Sequence, residues 1–237
     1  MKRLVFFLGL WAAAAPAQSL TPPLAGLISD SNHRLHRVFG VAGNFILGAE
    51  PAAEVQSSAF SGRFGLVKTP GAVLTLDHRG EVIQTSPAPE GPAVLAFDGR
   101  GTPALAYFPS TGELRDLRPG GESRTLEFSG VLGIRRSEVL LFLDGRLWRA
   151  SAGGMAPVSS DEFEQAPPAL LRPDGTVLYV SGNDLVVAAP DGDERRLTLP
   201  EPCDRLEQMS AEWVQAGSSF AVRLEDLKLY RLPEVTP

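Results

Sequence analysis

The chain has one cysteine, Cys203, and three histidines in 237 residues, and only 8% of its residues are aromatic. A lone cysteine excludes a disulfide-stapled scaffold, and Cys203 reads as a small buried hydrophobe rather than a reactive thiol. The longest apolar stretch near the start, Leu4 to Ala15, has 12 residues, well short of the roughly 20 that span a bilayer. No later segment is longer, so no transmembrane helix is expected. The Gly-x-Ser-x-Gly elbow of α/β hydrolases, the Gly-x-x-x-x-Gly-Lys phosphate loop and the Rossmann glycine fingerprint are all missing. Basic residues are outnumbered as well. The net charge of −6 disfavours nucleic acid and anionic membrane surfaces as partners.

What is present is a globular composition, 43% hydrophobic and 21% charged, punctuated by 24 Gly and 20 Pro. That excludes disorder, coiled coil and collagen, and it favours many short elements joined by tight turns. The start has the three parts of a secretory signal: Lys2 and Arg3, the apolar stretch, and the small residues of Ala15-Pro16-Ala17. Cleavage after Ala17 is expected, leaving a single domain over 18–237. Loss of Lys2 and Arg3 takes the charge from −6 to −8. No cysteine follows the cleavage site, so a lipid anchor is not expected. The product would be periplasmic or extracellular, in a bacterium.

Along the rest of the chain the apolar residues repeat with a period near two, the spacing of strands. Ala72 to Asp77 meets His78-Arg79-Gly80 and then Glu81 to Thr85; Glu138 to Leu143 meets Asp144-Gly145 and then Arg146 to Ala150. Thr176 to Ser181 meets Gly182-Asn183 and then Asp184 to Ala189, and Phe220 to Leu224 turns at Glu225-Asp226 into Leu227 to Leu232. Asp-Gly and Gly-Asn pairs tolerate positive φ and mark hairpins. Only 160–165 and 204–209 read as short helical turns. The chain is predicted to be all-β. The hairpins recur about every 40 residues, the period of a propeller blade, because one small twisted sheet must stack on neighbours to cover both faces. The predicted units are 56–90, 91–128, 129–160, 166–200 and 204–237.

The fourth unit is the clearest: Arg172-Pro173-Asp174-Gly175, then TVLYVS, Gly182-Asn183, DLVVAA, a turn at 190–194, and Arg195 to Leu199. This stretch resembles the TolB-type, WD-like β-propeller repeat, closely over 169–199 and more loosely elsewhere. The resemblance implies a β-propeller of five or six four-stranded blades. The last unit reads as one strand short. The N-terminal segment, with Gly26 to Ser29 and Leu35 to Phe39, is predicted to close the ring by pairing with Leu227 to Leu232, and residues 40–55 would add part of a sixth blade.

The search for chemistry is thin. His33 and His36 are three apart, and on a strand such residues point to opposite faces, so they read as solvated or rim residues and no metal is expected. His78 reads as an exposed turn residue. The carboxylates Asp161, Glu162 and Glu164 read as a solvated connection, and Asp191, Asp193 and Glu194 as a tight turn. The aromatics Tyr107, Phe108, Phe142, Trp148, Tyr179 and Tyr230 read as packing between blades. The first strands of the units, read as 56–60, 93–97, 131–134, 169–171 and 212–215, are nearly all apolar. Asp98, Arg135, Arg136, Arg172 and Glu212 at their ends form a mixed-charge axial rim, and the last four of these together with Trp213 are a candidate ligand-binding set. No catalytic set and no cofactor is predicted. Two functions fit this reading: an exported non-catalytic module that binds a protein, peptide, glycan or other small ligand, or a hydrolase or lyase working in the axial channel, metal-assisted or not.

Overall fold

The computed structural model describes residues 22–234. The expected signal peptide, 1–17, lies outside the described residues. Among the described residues there are twenty-three strands and no helix. Sheet I holds β1 Leu24–Ser29, β2 Leu35–Val41 and β3 Asn44–Leu47. Sheet II holds β4 Ser57–Phe60, β5 Gly65–Thr69, β6 Ala72–Leu76 and β7 Val82–Pro87. Sheet III holds β8 Val94–Phe97, β9 Pro103–Phe108, β10 Glu113–Asp116 and β11 Ser123–Thr125. Sheet IV runs from β12 Val131–Arg135 through β13 Glu138–Leu143 and β14 Arg146–Ser151 to β15 Gly154–Pro157. Sheet V has β16 Ala169–Leu171, β17 Val177–Ser181, β18 Asp184–Ala188 and β19 Glu194–Thr198. Sheet VI has β20 Leu206–Gln208, β21 Trp213–Ala216, β22 Phe220–Arg223 and β23 Lys228–Arg231.

Each sheet is an antiparallel meander in chain order, five of four strands and one of three. The six are the blades of a β-propeller, and each interface between neighbours carries its own apolar cluster. Middle strands are covered on both faces and read as continuous apolar runs, as in VLYV of β17. Outermost strands of the four-stranded blades are open to solvent, and the clearest is polar, ERRLT of β19. The aromatics expected between blades lie there: Tyr107 and Trp148 pack between sheets III and IV, Phe142 and Tyr179 between IV and V.

The predicted units match sheets II to VI, but the last one is composed differently. Residues 204–209 do not form a helical turn; they contribute β20, the first strand of sheet VI. Residues 213–215 consequently belong to the second strand, and β23 completes the sheet as its fourth. The last blade therefore lacks nothing at its outer edge, and the expected pairing of the N-terminal segment with 227–232 does not occur. β23 bonds β22 alone, while β1, β2 and β3 form a sheet of their own. Residues 160–165 are irregular and not helical.

Sheet I closes the ring by packing, and its orientation is unusual. Gly26 lies against the carbonyl of Met209, just past the end of β20, whereas Ser29 bonds Gln215 and Arg205 at the other end of that hairpin. β1 thus runs opposite to β20, in the direction of a second strand. Sheet I supplies the second, third and fourth strands of a blade, and no first strand for it occurs among the described residues. The inner ring is accordingly five strands, β4, β8, β12, β16 and β20, with β20 returning to β4.

Where the sixth inner strand would lie, side chains do its work. The Gln215 amide accepts from the Ser29 N–H at 3.2 Å and donates to the Ser29 carbonyl at 2.8 Å, mimicking a strand partner, and Gln215 is fully buried. Arg205 donates to the same carbonyl, and the hydroxyls of Ser29 and Ser58 both donate to the Glu207 carboxylate, the latter at 2.9 Å. These bonds tie sheets I, II and VI together across the chain's two ends.

Candidate functional site

In the five four-stranded blades, the turns joining first to second and third to fourth strands share one face of the ring. Asp98 shapes one such turn: its Oδ1 accepts from the N–H groups of Arg100 and Thr102 at 2.8 and 3.0 Å, leaving Gly101 at φ 75°. Asp77 repeats the arrangement with Arg79 and Glu81. Arginines staple three of the first turns to the next blade. Arg63 donates to the Arg100 carbonyl at 3.4 Å, Arg135 to that of Pro173 at 2.7 Å, and Arg172 to that of Ala211 at 2.6 Å.

The five residues of the expected ligand-binding set are therefore dispersed. Arg135 is spent on Pro173 and on Glu138, at 2.8 Å. Arg172 shares a groove of about 550 Å³ with Glu212 between sheets V and VI, and burial pushes its guanidinium below the usual value despite Asp174 nearby. Trp213 is buried in the interface of sheets VI and I, edge-on to Phe45 at 5.4 Å and to Tyr230 at 5.3 Å. Arg136 and Glu212 are exposed, and neither has a side-chain bond among the described residues.

Arg136 lines a groove of about 820 Å³ between sheets III and IV on this turn face. One wall is the β12–β13 turn, Arg136 and Ser137. The other is formed by Leu105 and Leu114, then by Arg124 on the outermost strand β11. A contiguous cavity of about 240 Å³ shares Leu105, Leu114, Arg124, Arg136 and Ser137 and adds Ile134, Val139 and Phe128. Phe128 is 43% exposed. Three other charges near the groove are spent: Arg118 chelates Asp116 and holds that carboxyl below its usual range, and Glu138 is taken by Arg135. Asp98 faces its own turn, and Glu122 is exposed at the far end. Arg124 is exposed and, like Arg136, makes no ion pair among the described residues.

His33 is exposed in the β1–β2 turn at φ 59°, and His36 is buried on β2 with Nε2 3.0 Å from Asp30 Oδ2. Burial raises the Asp30 carboxyl, but hydrogen bonds from the Arg34 amide, His36 and the Asn32 amide outweigh it and hold it low. No group of three or more metal-ligating side chains occurs among the described residues. Asp161 receives the Tyr179 hydroxyl at 3.3 Å and Arg196 at 3.3 Å, and Glu162 pairs with Arg146. Burial pushes the Tyr179 phenol up to about 12. Burial likewise raises the Cys203 thiol, whose Sγ lies 3.0 Å from the Arg205 carbonyl.

Sequence reasoning missed Glu207, Gln215, Arg124 and Phe128. Glu207 is the one acidic side chain on the five inner strands. Burial pushes its carboxyl up, opposed by the Ser29 hydroxyl and Arg205. Reading 204–209 as a strand would have exposed it as a charge in an inner strand. Arg124 and Phe128 carried no signal, because a three-residue strand gives too short a pattern to place.

No protein-family model matches the chain, and no curated protein matches it by sequence. Among solved structures it resembles PorZ, described as an essential bacterial surface component of the type-IX secretion system of Porphyromonas gingivalis, with 13% identity and TM-score 0.52 over 91% of this chain. The chain spans 39% of the PorZ chain. A streptogramin B lyase matches over 91% of this chain and 85% of its own at 15% identity, TM-score 0.47. The Neurospora crassa Pan2 WD40 domain matches over 90% and 80% at 8% identity, TM-score 0.45. These likenesses concern the fold, which hosts both binding modules and enzymes.

Proposed function

We propose that the chain is an exported, non-catalytic β-propeller that binds a protein partner in the groove between sheets III and IV. One observation carries this reading. The groove and its side cavity put two uncommitted arginines and a half-exposed phenylalanine beside apolar walls, the mixture found at the centre of protein-binding surfaces. Arg63, Arg135 and Arg172, in the first turns of sheets II, IV and V, are consumed by inter-blade bonds; these two are not. Export is supported by the signal-like first seventeen residues. The test is photocrosslinking in the exporting host, with a photoreactive residue at Ser137 in the groove or at Asn183 on the opposite face. A discrete adduct from Ser137 and none from Asn183 is expected. Equal labelling from both positions, or none from Ser137, would refute the assignment.

A catalytic reading has one observation behind it, the Glu207 carboxyl, raised by burial and hydrogen-bonded to two serines. It requires turnover of a glycoside or ester panel by the purified chain, abolished by Glu207→Gln. The binding reading expects no turnover at all.

A further inference from the structure

This inference rests on the groove being the binding site and concerns what the groove takes. We infer that the cavity between sheets III and IV captures the free C-terminus of a partner polypeptide whose last residue is apolar. The cavity of about 240 Å³ lies below the usual range for a whole small-molecule ligand, yet it holds one aliphatic or aromatic side chain. Its floor is Leu105, Leu114, Ile134 and Val139, so a bare inorganic anion would leave the apolar surface unfilled. Arg124 and Arg136 are the two cations lining it, one from each side, and neither makes an ion pair among the described residues. A planar guanidinium matches a carboxylate with two parallel hydrogen bonds. Apolar floor and cationic mouth together specify an apolar group bearing a carboxylate.

Two further features select a polypeptide. The cavity opens into the larger groove along β11, which among the described residues bonds β10 alone and has no partner on its outer edge. An extended chain leading back from the captured residue could continue that sheet by backbone hydrogen bonds. Arg136 itself is held at φ 46°, in the left-handed region, at a turn where sheets II, III and V use Gly62, Gly101 and Gly175 with φ of 86°, 75° and 91°. Retaining an arginine where glycine is the relaxed choice places a cation at the groove's lip at the expense of backbone strain, as happens at ligand clamps.

The test uses fluorescein-labelled hexapeptides ending in leucine, as free acid or as amide, titrated into the purified chain. The free acid is expected to bind saturably, and the amide about tenfold or more weakly. Arg136→Gly should weaken the free acid by a similar factor while its melting temperature holds or rises, because glycine relaxes the turn. Arg124→Gln should weaken it too. Equal affinity for acid and amide, or full affinity in Arg136→Gly, would overturn the inference. So would tighter competition by dodecanoate than by the unlabelled peptide, which would make the ligand a fatty acid. Failure here with persistent crosslinking from Ser137 would remove the C-terminus as ligand and leave the groove as the binding site.

Discussion

The ring's closure by a side chain that stands in for a strand can be tested at Gln215. Replacing it with leucine keeps the volume and removes both bonds to Ser29. The Ser29 carbonyl retains Arg205 as a donor, but its N–H loses its acceptor in a buried place. An orphaned buried polar group costs about 1–3 kcal/mol, and the second lost bond adds little while Arg205 remains. For a chain of this size each kcal/mol shifts the melting temperature by about 2–4 °C, so Gln215→Leu should melt about 2–12 °C lower by circular dichroism. Hydrogen exchange should localise the effect, with the Ser29 amide exchanging faster while amides of β13 and β17 hold. Removing both carbonyl donors, as Gln215→Leu with Arg205→Met, leaves the carbonyl bare, and the double variant should lose more than the two singles together. Gln208→Leu is the internal control, since Gln208 is also buried but makes no side-chain bond among the described residues. If Gln215→Leu melts within about 1 °C of the parent, or no lower than Gln208→Leu, the strand-mimic account is wrong.

Three further outcomes follow from the same geometry. Burial raises the Glu207 carboxyl in the fold above its unfolded value, so its favourable contribution is full below the unfolded pKa and is lost as pH rises through the folded one. Glu207→Gln, which keeps an acceptor for Ser29 and Ser58, should therefore melt higher than the parent at pH 7 and equally at pH 4; a gap that widens on acidification would contradict this. Gly26→Ala would place a Cβ 2.3 Å from the Met209 carbonyl oxygen, and overpacking of this kind costs about 1–3 kcal/mol; an unchanged denaturation midpoint in urea would show that β1 does not approach β20 so closely. Cys203, half-buried with its thiol raised by burial, should react with a thiol-specific disulfide reagent at pH 8 about tenfold more slowly in the folded chain than in urea, and equal rates would place it at the surface.

The fold was legible wherever local chemistry decides it. Asp144-Gly145 and Gly182-Asn183 stand at hairpin turns because few residues accept positive φ, and runs such as VLYVS could only be strands covered on both faces. The blade period followed from those turns. β20 was not legible: Leu206-Glu207-Gln208 is three residues with a charge in the middle, too short and too polar to show alternation. Misplacing it shifted the first strand of the last unit to 212–215 and created a missing strand for the N-terminus to supply. At the site, Arg135, Arg136 and Arg172 were all found as turn arginines of one kind. Which are spent depends on the next blade: Pro173 and Ala211 present carbonyls to Arg135 and Arg172, and nothing does so for Arg136. Turns, strand periodicity and the repeat are properties of a few neighbouring residues, and the sequence by itself determined them. The reversed sheet I, the Gln215 bridge to a residue 186 positions away and the pairing of Arg124 with Arg136 across a cavity arise only when distant segments meet, and the tertiary structure alone decided them.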